Sequence, residues 1–522
     1  MAAPDPRISA PEEDRTRRGH VFTKLWPLEF LPDQAGNAAE LRQGIVRATV
    51  SRLNTGHEGE KMDGVGPYTQ KMAGYAAAYS YDDLPQQAVD IGKKIVLDTI
   101  GAILLGSRPD YASVRILGDM AIEEGNPGRS TVFGRDERGS FQGALLANGT
   151  MGYAADAEGG GASRMHAAAV FVPTVLTVGE HLHSSGRDAI AALALAYDVG
   201  CRISDAADPG PGTAYPHSFH PSAVFGHFGA SAAAGHLLRL DEDQFVNALG
   251  LAGSNATGMI NWVGDPTEDS RPFVIGVAVQ SGTRASLLAK KGMGGPIHIL
   301  DDTKYSIYDA YSTETHLDRL LEGLGEHYRI LDADGFKQYP CCGDIHSGLD
   351  GLLSLMANHR LEVSQIESIT HRVKPGRVKI IDDNLLKSHN SQYILSVAAV
   401  NGKIEPDDIL IDRRSDPAVS GLYSRAKLLP DPMLDEITDG APAIVEIQTR
   451  DGASVRERVD YSRGRRQNPL SASELNEKFM RWATTRMGEE QAREIVEATG
   501  RLEELEDVGE LTRLLATNLK SR

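Results

Sequence analysis

A chain of 522 residues exceeds what one ordinary hydrophobic core organises, so two domains, or one large domain with a satellite, are expected. Apolar residues make up 41% and charged residues 24%, an ordinary globular composition, while an aromatic share of only 6% beside abundant Ala and Gly favours close-packed helices. A formal charge of −18 excludes a nucleic-acid groove or an anionic membrane surface as partner, since both require concentrated Lys and Arg; an anionic small molecule would have to be held by local basic residues.

Three cysteines, Cys201, Cys341 and Cys342, supply neither a disulfide framework nor a Cys-rich zinc module, and a reducing cytoplasm is the expected compartment. The N-terminus, MAAPDPRISAPEEDRTRRGH, is charged where a signal peptide needs an apolar core, and no run approaches a membrane span. Residues 1–66 lack sustained periodicity and read as an extension that wraps or docks, with KLWPLEFLP as one apolar island.

Residues 67–330 read as a large helical domain. From Tyr68 onward two helices are predicted, the second carrying Ile91, Ile95, Leu97, Ile100, Ile103 and Leu104 near helical spacing with Asp98 among them. A buried acid of this kind is expected to be paired or to cap something. The stretch NGTMGYAADAEGGGASRMHAAAVFVP then interrupts the pattern, because Gly159, Gly160 and Gly161 each cost a helix roughly 1 kcal/mol against Ala. It holds Asp156 and His166 with almost nothing bulky between them, and His166 stands at the mouth of an apolar helix in which Pro173 is tolerable only near the start or at a kink. Further on, His217 and His220 lie where a Pro- and Gly-punctuated loop meets a helix rich in Ala and Gly, and a helix N-terminus favours neutral imidazole. Arg271 is delivered by a polar loop just before another small-residue helix. The small-residue stretches 229–236 and 276–289 carry so little polar surface that they call for other helices or a second subunit, and a homodimer is expected.

Residues 331–469 change character. DADGFKQYPCCGDIHSGLDGLLSLM brings Lys337, Tyr339, the paired cysteines and His346 together ahead of an amphipathic helix. VSQIESITHRV and APAIVEIQTRDGASVRERVDY then alternate apolar and polar residues with period two, as half-buried strands do, so this segment reads as a smaller α+β domain. In residues 470–522, Ser471 and Glu474 form a capping box, and the C-terminal helices that follow are expected to return to the helical domain.

Taken in order, the Asp156–His166 stretch, FHPSAVFGHFGASAAAGHLLRL, FKQYPCCGDIHSGLDG and NPLSASELNEKF resemble successive signatures of the 2-methylcitrate dehydratase family, also called MmgE/PrpD. The resemblance runs from about Tyr68 to the C-terminus. It implies a mainly α protein with a large all-helical domain and a smaller α+β lid, homodimeric and without metal or other cofactor, whose active site lies between the domains. Residue by residue, it implies catalytic roles for Asp156, His166, His220 and Lys337, and for Tyr393 in HNSQYILSVAAVNG. Arg271 stands where the family often has lysine; with Tyr339 and His346 it is assigned to substrate binding. The family's Asp-Asp-Thr run is missing, since AEGG follows Asp156 and Gly160 takes the usual threonine position.

These residue types fit one chemistry. Taking a proton from carbon beside a carboxylate needs a base with a pKa near neutrality, where histidine starts at ~6.5, and the carbanion needs fixed charge or donors already aimed at it. The reading is therefore a cofactor-independent lyase of hydratase or dehydratase type acting on a small di- or tricarboxylate, with an epimerase or decarboxylase on the same scaffold as the alternative. From other classes stand a non-catalytic paralogue and a metal hydrolase. The latter would use His181 with His183 or His217 with His220, neither of which forms a ligand motif with a well-placed glutamate.

Overall fold

The computed structural model describes residues 64–125, 128–207 and 218–517, so most of the N-terminal extension, and His217, lie outside the described residues. Two hydrophobic cores are present. The first gathers α1 (Pro67–Ala78), α2 (Gln86–Gly106), α3 (Ala112–Glu124), α4 (Phe141–Ala154), α5 (Ala167–Leu182), α6 (Gly186–Ala207), the short α7 (Pro221–Val224), α8 (Gly226–Leu237), α9 (Glu242–Asn255) and α10 (Ser270–Lys290). Small residues set its spacing. At Gly276 of α10 a Cβ would lie 2.2 Å from Thr150 Oγ1 and 2.5 Å from the Leu146 carbonyl, so only glycine lets α10 approach α4 so closely. Every residue of α8 is buried, and α8 and α10 pack on each other and on α4, α6 and α9. The small-residue stretches expected to pack on other helices or on a second subunit thus find helix partners within the chain.

Pro173 sits at the seventh position of α5 rather than at its start. It cannot donate to the Ala169 carbonyl, yet the helix continues because 14 of its 16 residues are buried, and tertiary packing outweighs one missing bond.

The second core begins beyond Phe336, which still packs on the helical side, and includes Cys341, Ile345, Tyr393 and Val445. Apart from a two-residue antiparallel pair on the helical side, β1 (Ser130–Thr131) with β2 (Arg138–Gly139), the strands lie here: α11 (His346–His359) covers a four-stranded sheet in the order β4 (Ala426–Pro430), β3 (Ile366–Val373), β5 (Ala443–Thr449), β6 (Ser454–Val459), with α12 (Ser391–Asn401) beside it. The β3–β4 pairing is parallel, while β3–β5 and the β5–β6 hairpin are antiparallel. The protein is therefore mainly α with a smaller α+β part. After it, α13 (Ala472–Ala483) starts at the reciprocal capping box of Ser471 and Glu474. It puts Phe479 and Trp482 into the first core, and α14 (Glu489–Gly500) follows. No helix among the described residues is long and apolar enough to cross a membrane.

Candidate active site

Between the end of α4 and the start of α5 the backbone makes an irregular loop with left-handed φ at Asp156 (50°), Gly160 (67°), Ser163 (50°) and Arg164 (63°). Such conformations persist only where the surroundings hold them. Here Asp98 accepts the Gly159 N–H at 2.7 Å, Gly160 N–H donates to the Gly335 carbonyl at 2.7 Å, and Tyr197 donates to the Gly160 carbonyl at 2.5 Å. Asp98 is itself paired with Lys478 of α13 at 2.5 Å, so this buried acid is the brace expected of it. A side chain at Gly160 would meet Ala168, Tyr197 and Ile95 at 3.1–3.2 Å, so the position usually held by threonine faces the core in this chain.

The loop forms one wall of a cavity of about 710 Å³ lined from both cores. Asp156, Glu158, His166, His220 and Trp262 come from the helical side; Lys337, His346, Lys374, Arg377 and His389 come from beyond it. At its centre Lys337 donates to both the carbonyl (3.0 Å) and the Oδ1 of Asp156, and lies 3.5 Å from Glu158 Oε1. Glu158 Oε1 in turn takes the Nδ1 proton of His166 at 2.6 Å, leaving Nε2 as the nitrogen open to a bound molecule on a ring 31% exposed to the cavity. His166 also packs on Tyr153, with ring centroids 4.6 Å apart, and stacks with His220 at 6.0 Å.

Electrostatics hold this cluster in fixed charge states. Burial would raise the carboxyls of Asp156 and Glu158, but Lys337, with Arg271 for Asp156 and His166 for Glu158, keeps both below the usual range. Burial alone would lower Lys337, yet the two carboxylates raise it, so it stays an ammonium. His220 is driven well below its ordinary value, first by burial and then by His166 and Arg271. Its seat at the N-cap of the four-residue α7 is thus secondary to burial. His389 is pushed down to about 4 and His346 to about 3, again mainly by burial.

Three expected site residues stand elsewhere. Arg271 does not line the cavity: it is fully buried, donates to the carbonyls of Tyr153 and Ala154 at 3.0 Å each, and lies 3.9 Å from Asp156 Oδ1. It thereby satisfies the orphan carbonyls at the end of α4 instead of meeting substrate. Tyr339 donates to Asp350 at 2.7 Å and packs edge-on against His346, one layer behind the cavity. Tyr393 lies inside the second core, where its hydroxyl is shared by the Asp408 (2.5 Å) and Ile411 (3.1 Å) carbonyls and accepts from Arg413 N–H (3.1 Å). That hydroxyl is consumed by packing its own helix against the next loop. Sequence reasoning missed Glu158, in the AEGG run two residues after Asp156, and His389, four residues before Tyr393.

Of the histidine pairings considered for a metal hydrolase, His181 and His183 do not converge, and the pairing of His217 with His220 has one member outside the described residues. His181 stacks on Phe141 at 4.0 Å, and His183 meets Asp507 at 3.0 Å on an exposed surface. Asp156, Glu158 and His166 do bring ligand atoms within 4.8 Å of one another, a spacing a metal ion would accept. Lys337 already supplies the positive charge there, bonded to one carboxylate and beside the other.

Comparison with known proteins agrees with this architecture. Residues 70–320 match the MmgE/PrpD N-terminal domain and residues 339–504 the MmgE/PrpD C-terminal domain. The chain is similar to cis-aconitate decarboxylase of Mus musculus, 26% identical with 86% of this chain and 93% of that protein covered, and to its Homo sapiens counterpart, 25% identical with 83% and 91% covered. It is also similar to the mitochondrial 2-methylcitrate dehydratase of Yarrowia lipolytica, 23% identical over 52% of this chain and 55% of that protein. Two domain matches in order, spanning most of the described residues and meeting at the cavity, make this chain a member of the MmgE/PrpD family.

Proposed function

We propose that the protein is a cofactor-independent lyase of hydratase or dehydratase type, moving a proton at a carbon beside a carboxylate of a small di- or tricarboxylate. The single observation that carries this reading is the 2.6 Å contact of the buried Glu158 with the partly exposed His166, which fixes the imidazole tautomer and presents Nε2 as the base. Lys337 keeps the neighbouring carboxylates ionised, and Arg377 and Lys374 at the cavity wall supply the cations a carboxylate substrate needs on a chain of net charge −18. The similar proteins bear names of enzymes acting on cis-aconitate and 2-methylcitrate, both tricarboxylates, which supports the substrate class.

A second reading, decarboxylation on the same scaffold, is favoured by the fuller coverage of the decarboxylases, 86% of this chain against 52% for the dehydratase. Both readings place proton transfer at His166. Incubation with citrate, 2-methylcitrate, the aconitate isomers, tartrates and iminodisuccinate in deuterium oxide, followed by proton NMR, tests them together. Deuterium entering carbon beside a carboxylate is expected, with water or carbon dioxide exchange separating the two readings. An enzyme that exchanges no carbon-bound proton in any of these compounds would overturn the proposal.

A further inference from the structure

Glu158 aims one carboxylate oxygen at His166 and has little of its own to keep that aim. Its Oε1 meets His166 Nδ1 and stands beside Lys337, while the buried Oε2 makes no hydrogen bond to any described residue. A side chain tethered at one oxygen points where its backbone directs it, and this backbone belongs to no regular element, with left-handed φ at Asp156 and Gly160. The peptide groups on either side of Glu158 are both taken by one ion pair. Asp98 of α2 accepts the Gly159 N–H at 2.7 Å, and Lys478 of α13 donates to the Ala157 carbonyl at 3.4 Å as well as to Asp98. The ammonium also sits over Trp482, 4.2 Å from the ring centroid, so all three of its N–H groups have a partner. Neither Asp98 nor Lys478 lines the cavity, and both are buried.

Stability alone does not account for such a pair. Burial raises the Asp98 carboxyl and lowers the Lys478 ammonium, each toward its uncharged form, and apolar side chains of similar volume often match or better a buried ion pair in stability. Apolar side chains cannot, however, hold a carbonyl and an N–H two residues apart. The same C-terminal segment also reaches the other half of the site: the Gly464 carbonyl accepts the Phe336 N–H at 2.7 Å, next to Lys337. A Cβ at Gly159 would lie 2.5 Å from Phe336 Cα, so the loop is wedged against the Lys337 segment as well. We infer that Asp98 and Lys478 are positioning residues for the reaction: together they hold the peptide groups flanking Glu158 and so keep its carboxylate on His166 Nδ1. This rests on the reading of His166 as the proton carrier. Misplacing a reacting group by about 1 Å costs roughly 10²-fold in rate, so the pair acts on turnover while the contacts that bind substrate stay in place.

The test separates position from stability. Lys478→Met alone strands the Asp98 carboxylate and should lower Tm as well as turnover. The double variant Asp98→Asn/Lys478→Met buries no charge; its amide oxygen can still accept the Gly159 N–H, but the Ala157 carbonyl loses its donor. It is expected to melt close to wild type, with kcat lower by about 10- to 100-fold and KM within about threefold. A readout without substrate accompanies this. The proton on His166 Nδ1, held on a carboxylate oxygen only 2.6 Å away, should give a low-field resonance in ¹⁵N-histidine-labelled protein, identified by its absence from His166→Gln. The double variant should shift or lose that resonance. A purely structural role would leave both the resonance and kcat unchanged in the folded double variant, and that result overturns the inference. In the wild-type full chain, the amides of residues 157–160 should exchange with deuterium oxide as slowly as those of α13; a loop that exchanges much faster overturns it too. Since that comparison needs no variant, a double variant that fails to fold does not spare the inference. The resonance and the amide exchange are read without substrate, so absence of carbon-bound proton exchange in every carboxylate overturns the proposed lyase and leaves these two to decide the positioning.

Discussion

Replacing Glu158 by glutamine probes the site most directly, because it changes one charge and almost no volume. In the native cavity the carboxylate accepts from His166 Nδ1 at 2.6 Å and therefore faces the positive charge that develops on the ring as Nε2 takes a proton. A hydrogen bond from a charged partner contributes about 1.5–3 kcal/mol, and exchanging it for a neutral amide forfeits much of this, roughly a 10- to 100-fold loss in turnover. The amide also has a donor face. If its N–H₂ turns toward Nδ1, the ring proton moves to Nε2 and the base is lost, which extends the loss toward about 10⁴-fold. Binding should move the other way, since Lys337 keeps its charge while one of its two carboxylates disappears, leaving the cluster more attractive to an anion. The assay is steady-state turnover with the substrate identified by NMR, alongside the rate of solvent deuterium entry into carbon. Expected are a kcat lower by at least about 10-fold, a KM unchanged or reduced, and partial recovery in Glu158→Asp. A Glu158→Gln enzyme with full deuterium entry would refute the role given to the Glu158–His166 pair.

His166→Gln should keep its fold and substrate binding but lose about 10²-fold or more in turnover, and near-normal turnover would remove His166 as the proton carrier. Lys337→Ala, which strands two buried carboxylates, should lower Tm in calorimetry by the equivalent of about 3–5 kcal/mol and damage both KM and kcat. Lys337→Arg should recover part of the affinity; a variant that binds normally yet stays as inactive as alanine would instead make Lys337 a proton donor. His371, buried and bonded to Ser391 Oγ at 2.7 Å, is pushed down to about 4, chiefly by burial. The unfolded chain, with His near ~6.5, binds more protons in between, so the stability His371 contributes is complete above ~6.5 and falls as pH drops toward 4. The Tm difference between wild type and His371→Gln should shrink over that window, and a constant difference would contradict the shift. Chelator treatment should leave activity unchanged, because Lys337 already provides the cationic charge beside Asp156 and Glu158; restoration of a chelated, inactive enzyme by one divalent metal would defeat this. Sedimentation at micromolar concentration is expected to give a homodimer, and a monomer alone would count against it.

Elements bounded by local chemistry were legible in the chain. The capping box of Ser471 and Glu474 starts α13 as its spacing predicts, the alternation in APAIVEIQTRDGASVRERVDY becomes the β5–β6 hairpin, and the small-residue stretches become tightly packed helices. Each follows from neighbours in sequence, since caps, turns and periodicity act over three or four residues. Asp98 was legible too, because a charge within an apolar helical pattern must find a partner wherever the chain goes. Only the tertiary structure decided which side chains meet. The left-handed backbone at Asp156 and Gly160 has no periodicity to project, so nothing local says that Glu158 turns toward His166 or that Gly160 faces the core. Lys337 arrives beside Asp156 from 181 positions away, and His389 from the second core, by packing alone. The same packing withdraws Arg271 and Tyr393 from the cavity, because the carbonyls ending α4 and those of Asp408 and Ile411 need donors once they are buried.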